Sequence, residues 1–222
     1  MSRTLRRHHA SPRPNWSSPL SRSSSRRAST NQTAVQGSSY GLLKRCGVVE
    51  SKWTSVEGGT ILVMAGGEAA AVERARGALV SFAQHIILLG PLGAGATMKL
   101  AVNAMVFGLN QTLAEALVLA EKAGVARELA YEVIANSAVA APFVGYKRTA
   151  YEHPESAPVA FALDLVAKDL DLAATLAGRV GAPVPQLETN RRVVAEAIAA
   201  GLGGADLSAI ALHLRAEAGS RS

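Results

Sequence analysis

The sequence predicts a mainly α-helical protein, an all-α body preceded by a single strand, helix, strand unit of an α/β sheet. Three observations carry that reading. Every patterned segment after Gly90 has helical spacing, two short β-rich runs flank a helical run between Thr60 and Leu89, and the opening stretch to Ser39 has neither period.

The opening stretch is Ser- and Arg-rich. Nine of the 23 Lys and Arg fall within residues 1–49, which contain no acid, so the rest of the chain carries 14 bases against 17 acids, a net of −3. The basic character belongs to the tail, which is expected to be disordered. Its composition fits an organelle transit peptide, a basic arm for nucleic acid or a solvated extension. The mildly acidic body offers no footprint for nucleic acid. A hydrophobic content of 49% supports a real core, and a single cysteine, Cys46, excludes an internal disulfide and fits a reducing, cytoplasmic home. Polar residues interrupt the apolar runs before the ~20 residues that span a bilayer, so no membrane insertion is expected.

From Gly59 the pattern changes. "TILVM" is a strand run, "EAAAVERARGALVSFA" has helical spacing, and "HIILL" reads as a second, buried strand. Strands joined by a helix lie parallel in the usual crossover, which makes this unit the edge of an α/β sheet. One such unit cannot cover both faces of a sheet. The turn "GPLGAG" that follows has its glycines as G-x-x-G-x-G, and the dinucleotide fingerprint G-x-G-x-x-G occurs nowhere in the 222 residues.

Met98, Val102, Met105, Leu109, Leu113 and Leu117 then recur every three or four residues up to Gly124, predicting a helix of roughly 45 Å. Further helices are expected over about 126–137, 142–150, 158–179, 184–201 and 206–216. Lys99 and Asn103, at i and i+4, project from one face near the start of the long helix, a pattern shared by a solvated lysine and by a positioned acid/base. In "FALDLVAKDLDLAATLA" the apolar residues leave almost no polar face, so this helix is expected to be central, with Lys168 on the line of Phe161, Leu165 and Leu172. Lys168 either pairs with Asp164 at i−4 or is held near a cleft.

Two other motifs carry less. "GSSYG" satisfies G-x-S-x-G around Ser39 but follows a Ser-rich tail instead of a strand, so no nucleophile elbow is expected. His85, His153 and His213 are scattered, with no H-x-x-x-H pair, and no metal site is expected.

"GPLGAGATMKLAVNAM" followed by "FALDLVAKDLDLA" is similar to the C-terminal half of the β-hydroxyacid dehydrogenases, which include 3-hydroxyisobutyrate, tartronate semialdehyde and 6-phosphogluconate dehydrogenases. The likeness covers about Gly58 to Leu214. It implies an all-α domain like the C-terminal domain of 6-phosphogluconate dehydrogenase over residues 91–216, a remnant Rossmann-type unit over 58–90, and a non-homologous or disordered segment over 1–57. It also implies an NAD- or NADP-dependent oxidation of a small β-hydroxyacid, with Lys99 as general acid/base, Asn103 holding substrate and lysine, and Lys168 and Phe161 beside the cofactor. A homodimer or larger homo-oligomer is implied too. Since the glycine fingerprint is lacking, the expectation is a shortened nucleotide domain and weak cofactor binding by this chain alone. The competing reading is a non-catalytic helical dimerisation module.

Overall fold

The computed structural model describes residues 49–51, 61–81, 83–154 and 156–220. The Ser/Arg tail, Ser39 and Cys46 lie outside the described residues.

β1 (Val49–Ser51), β2 (Ile61–Ala65) and β3 (Ala83–Leu88) form a sheet in the order β1-β2-β3. β2 and β3 are parallel, with Leu62 opposite His85, and α1 (Ala69–Leu79) joins them as expected. β1 adds an antiparallel edge, with Val49 opposite Met64, so the sheet begins upstream of residue 58. α1 covers one face through Val72, Ala75 and Leu79, packed on Val63, Ala65 and Ala83. The expected burial of "HIILL" does not hold: Ile87 and Leu88 are exposed, and of this run only Ile86 packs, partly buried, against the cluster under α1.

The long helix α2 (Ala94–Lys122) has 29 residues, about 44 Å at 1.5 Å per residue. Its entry explains the glycine-rich turn. Gly93 takes φ 96°, open to glycine without strain, and a Cβ on Gly66 would meet the Pro91 carbonyl oxygen at 2.7 Å. The close approach of these two backbones fixes the end of β2 against the start of α2, and the Gly67 N–H donates to the Gly90 carbonyl at 2.8 Å.

α3 (Arg127–Ala135), α4 (Pro142–Glu152), α5 (Leu163–Val180), α6 (Pro185–Ala197) and α7 (Ile210–Ser220) follow, with a π-type turn Ile198–Leu202 and a 3-10 turn Leu207–Ala209 after α6. Prolines at the first helical position start α4 and α6. α2 packs against α3, α5, α6 and α7 around a core that includes Leu113, Leu117, Tyr131, Val144, Leu163, Leu170, Val194 and Ile210. By length and composition α2 could cross a bilayer, but it buries Asn103, Asn110 and Gln111 against protein, and Asn110 donates to the Leu207 carbonyl at 2.9 Å. Such buried, protein-bonded amides mark it as the core helix of a bundle.

Two helical expectations need correction. The helix expected over 158–179 begins at Leu163, because residues 160–162 are held out of the helix: Ala162 is extended and forms a β-bridge with Asp206, and the Ala160 N–H donates to Asp206 Oδ2 at 2.9 Å. Nor is α5 buried all round. It buries Leu163, Val166, Leu170, Ala173 and Ala177, while Leu165, Lys168 and Leu172 face solvent.

Candidate functional site

Lys99 is half-buried in the second turn of α2, and Asn103, one turn on, is buried. Asn103 Nδ2 donates to Asp169 Oδ2 of α5 at 2.7 Å. One further turn along α2, the buried Phe107 ring stacks on Phe161, with centroids 5.9 Å apart and an interplanar angle of 29°. Asn103 thus meets residue 169 and Phe107 meets residue 161, so α2 and α5 run antiparallel past each other. The face that carries Lys99, Asn103 and Phe107 is the face turned toward Asp169 and Phe161.

Burial of Asn103 is incomplete in chemical terms. Its Oδ1 is out of solvent and has no hydrogen-bond partner among the described residues. An unsatisfied buried acceptor costs roughly 1–3 kcal/mol, a cost that calls for a donor arriving from outside. With the amide oriented by the Asp169 carboxylate, that donor can be a hydroxyl or an ammonium.

Phe161 is placed by a group the sequence reading did not single out. Its N–H donates to Asp206 Oδ2 at 3.3 Å and its carbonyl accepts from the Leu207 N–H at 2.9 Å. Asp206 also takes Lys147 Nζ at 2.7 and 2.8 Å, the Ser208 N–H at 3.1 Å and the Ser208 hydroxyl at 2.9 Å. Burial alone pushes the Asp206 carboxyl up, but the Lys147 and Ser208 hydrogen bonds and the Lys147 charge outweigh it and hold the group below its ordinary value. Burial, helped by the Asp206 charge, pushes the neighbouring Tyr146 up to about 12.

Of the four residues singled out in the sequence, Asn103 and Phe161 are tied into the α2–α5 face, and Lys99 shares a helix face with Asn103. Lys168 is exposed on α5, next to Asp169. The pairing of Lys168 with Asp164 is not formed: the Asp164 carboxylate lies against Gly203, and no ion pair joins the two among the described residues. Asp169 was missed although it adjoins Lys168 in "KDLDLA"; one surface-like acid at helical spacing gives no signal until α2 is laid against α5. Asp206 left a fainter trace, a D-x-S helix-start pattern whose Ser208 N–H it does cap. A separate recess of about 170 Å³, lined by Leu100, Ala104, Ala173, Ala177 and Leu187 among others, is apolar and brings no converging polar groups to a ligand.

The sequence profile described as NAD-binding of NADP-dependent 3-hydroxyisobutyrate dehydrogenase matches residues 93–214, more than half of the chain. Escherichia coli 3-sulfolactaldehyde reductase is 36% identical over 165 residues, covering 72% of this chain and 54% of the reductase. The solved structure of Mycobacterium tuberculosis 3-hydroxyisobutyrate dehydrogenase with L-serine superposes with a TM-score of 0.66 at 29% identity, over 76% of this chain and 60% of that one. That of the Salmonella typhimurium 3-hydroxyisobutyrate dehydrogenase gives 0.68 at 27%, over 74% and 58%. The chain spans about half the length of the curated relatives it matches. Its helical body, its two ordered motifs and the extent of the profile match together place the chain in the 3-hydroxyisobutyrate dehydrogenase family of NAD(P)-dependent β-hydroxyacid dehydrogenases.

Proposed function

We propose that this chain supplies the substrate-side, helical half of an NAD(P)-dependent oxidoreductase that reversibly oxidises a small β-hydroxyacid at its hydroxyl-bearing carbon. The observation that carries the reading is the hydrogen bond from Asn103 to Asp169 one turn beyond Lys99, which orients the amide and leaves its other end, Oδ1, in need of a donor.

In this reading Lys99 Nζ takes the substrate hydroxyl proton in the oxidation direction and returns it in reduction. Asn103 Oδ1 accepts a hydrogen bond from that hydroxyl or from Lys99, holding the two in line, and Asp169 keeps the amide from rotating. Phe161, backed by Phe107, forms an apolar wall, and Lys168 is a solvent-facing cation on α5 next to Asp169. These two residues suit the nicotinamide and phosphate ends of a dinucleotide, which when bound supplies the hydride acceptor or donor. No G-x-G-x-x-G turn exists in the 222 residues to cradle the pyrophosphate, so a nucleotide-binding half must come from further polypeptide.

The helical body also associates as a homodimer in this proposal. Met98, Met105 and Leu119 lie at multiples of seven along α2 and are all exposed, a seam one protomer leaves uncovered. The single cysteine supports a reducing, cytoplasmic compartment. The function is tested by fusing the nucleotide domain of a relative ahead of residue 58 and measuring NAD- and NADP-linked turnover of small β-hydroxyacids. Turnover that Lys99→Ala abolishes in a folded chimera is expected. Undiminished turnover of the Lys99→Ala chimera rejects the assignment. Tight cofactor binding by the 222-residue chain alone rejects the need for a supplied nucleotide half.

A further inference from the structure

Away from this face, α6 and α7 bring together three groups that sequence spacing did not join. His213 and Glu217 lie at i and i+4 on α7, and Glu196 reaches them from the end of α6. His213 is buried, its side chain 9% exposed, yet its Nε2 has no hydrogen-bond partner among the described residues. It is aimed between two carboxylates, 3.8 Å from Glu217 Oε1 and 4.0 Å from Glu196 Oε2. Both distances are too long for a hydrogen bond from a protonated ring. The second oxygen of Glu196 accepts from Arg192 Nη1 at 2.8 Å, which turns Oε2 toward the imidazole.

We propose that Glu196, His213 and Glu217 form a binding site for a divalent cation of the zinc type. The two nitrogen–oxygen distances are 3.8 and 4.0 Å and all three ligand atoms lie within 4.8 Å of one another, so a point equidistant from them is about 2.5 Å or less from each, a few tenths of an ångström beyond Zn–N and Zn–O bonds of about 2.0–2.2 Å. Small side-chain rotations of the two partly exposed glutamates close that gap. The donor set selects the metal: an imidazole is foreign to the all-oxygen shells of Ca²⁺ and Mg²⁺, and the carboxylates disfavour soft Cu(I). Three protein ligands leave a fourth position for water. Glu217 also lines an open groove of about 470 Å³ with Glu115 and Lys122, which gives the ion an entry path. A bound ion would tie α6 to α7 and satisfy the stranded Nε2.

The test uses the full chain, stripped with chelator, carrying His8→Ser and His9→Ser so that the vicinal histidines of the tail do not compete for metal. Calorimetric titration with Zn²⁺ should show a single site, and a hundredfold excess over Kd should raise Tm by about 5–10 °C. Glu217→Gln, a change at a partly exposed position, should keep the metal-free melting curve and weaken Zn²⁺ binding at least tenfold; His213→Asn should remove it. Absence of titration heat with an unchanged melting curve overturns the proposal, as does Zn²⁺ affinity unaltered by both Glu217→Gln and Glu196→Gln.

Discussion

Asn103 on α2 and Asp169 on α5, 66 positions apart in the chain, share a 2.7 Å hydrogen bond that joins the two helices at the candidate site. The bond spans a largely buried interface, so each partner depends on the other. Asp169→Ala strands the Asn103 amide and should destabilise the fold by about 1–3 kcal/mol, read as a lower denaturant midpoint. Asp169→Asn keeps an acceptor oxygen in place and should retain most of the stability while altering catalysis in the chimera. Equal losses for both substitutions would show that the carboxylate charge, not the acceptor, is what the interface uses.

The Lys147–Asp206 pair predicts a pH dependence. The folded-state value of Asp206 is lowered, so its contribution to stability is present above the unfolded carboxyl value near 4 and is lost as pH falls through the folded value. Lys147→Met leaves a buried carboxylate without its counter-charge, held only by neutral donors, and should cost up to about 3–5 kcal/mol at neutral pH. In that variant the Ser208, Ala160 and Phe161 hydrogen bonds remain but the Lys147 charge is gone, so the carboxyl rises relative to the wild type and this group's contribution to the acid limb should shrink. Denaturant melts at pH 3, 5 and 7 distinguish the two slopes.

The sequence made the helical fold legible because most helix ends carry local signals: Gly124 after α2, Pro142 and Pro185 at starts, Gly181 after α5. What escaped it depends on non-local contacts. Nothing within residues 158–162 says that Asp206 will hold residues 160–162 out of the helix, so the spacing predicts a start five residues earlier than Leu163. Met98 and Met105 share the spacing that predicts α2, but the buried line of early α2 runs through Asn103 and Phe107, because that is the side α5 occupies. For the site, residue type and spacing singled out Lys99 and Asn103. Asp169, Asp206 and the grouping of Glu196 with His213 needed the helices in place.

Those exposed methionines lead to a prediction about assembly. Met105 is 76% exposed and Leu119 73%, on the face of α2 away from the core. Large apolar residues recurring at sevenfold spacing on a helix form a seam suited to a second helix. Met105→Glu with Leu119→Glu should leave the helical circular dichroism unchanged and turn a dimer into a monomer in light scattering. A wild-type chain that is already monomeric at micromolar concentration excludes the seam as a dimer interface.

Lys99 and Lys168 should separate cleanly in kinetics, because one lies on the face that holds Asn103 and the other faces solvent on α5. Proton transfer contributes to the transition state, and losing the transferring group typically costs 10²–10⁴-fold in rate. A surface cation near a phosphate adds only binding, of the order of 1 kcal/mol or less, and salt screens it. In a chimera with a complete nucleotide domain, Lys99→Ala should therefore lower kcat at least a hundredfold with little change in cofactor KM. Lys168→Ala should raise cofactor KM up to about fivefold at low ionic strength, leave kcat near wild type, and lose most of its effect in high salt. The opposite pattern, a kcat collapse with Lys168→Ala and a pure KM effect with Lys99→Ala, would exchange the two roles and move the proton-transfer step from α2 to α5.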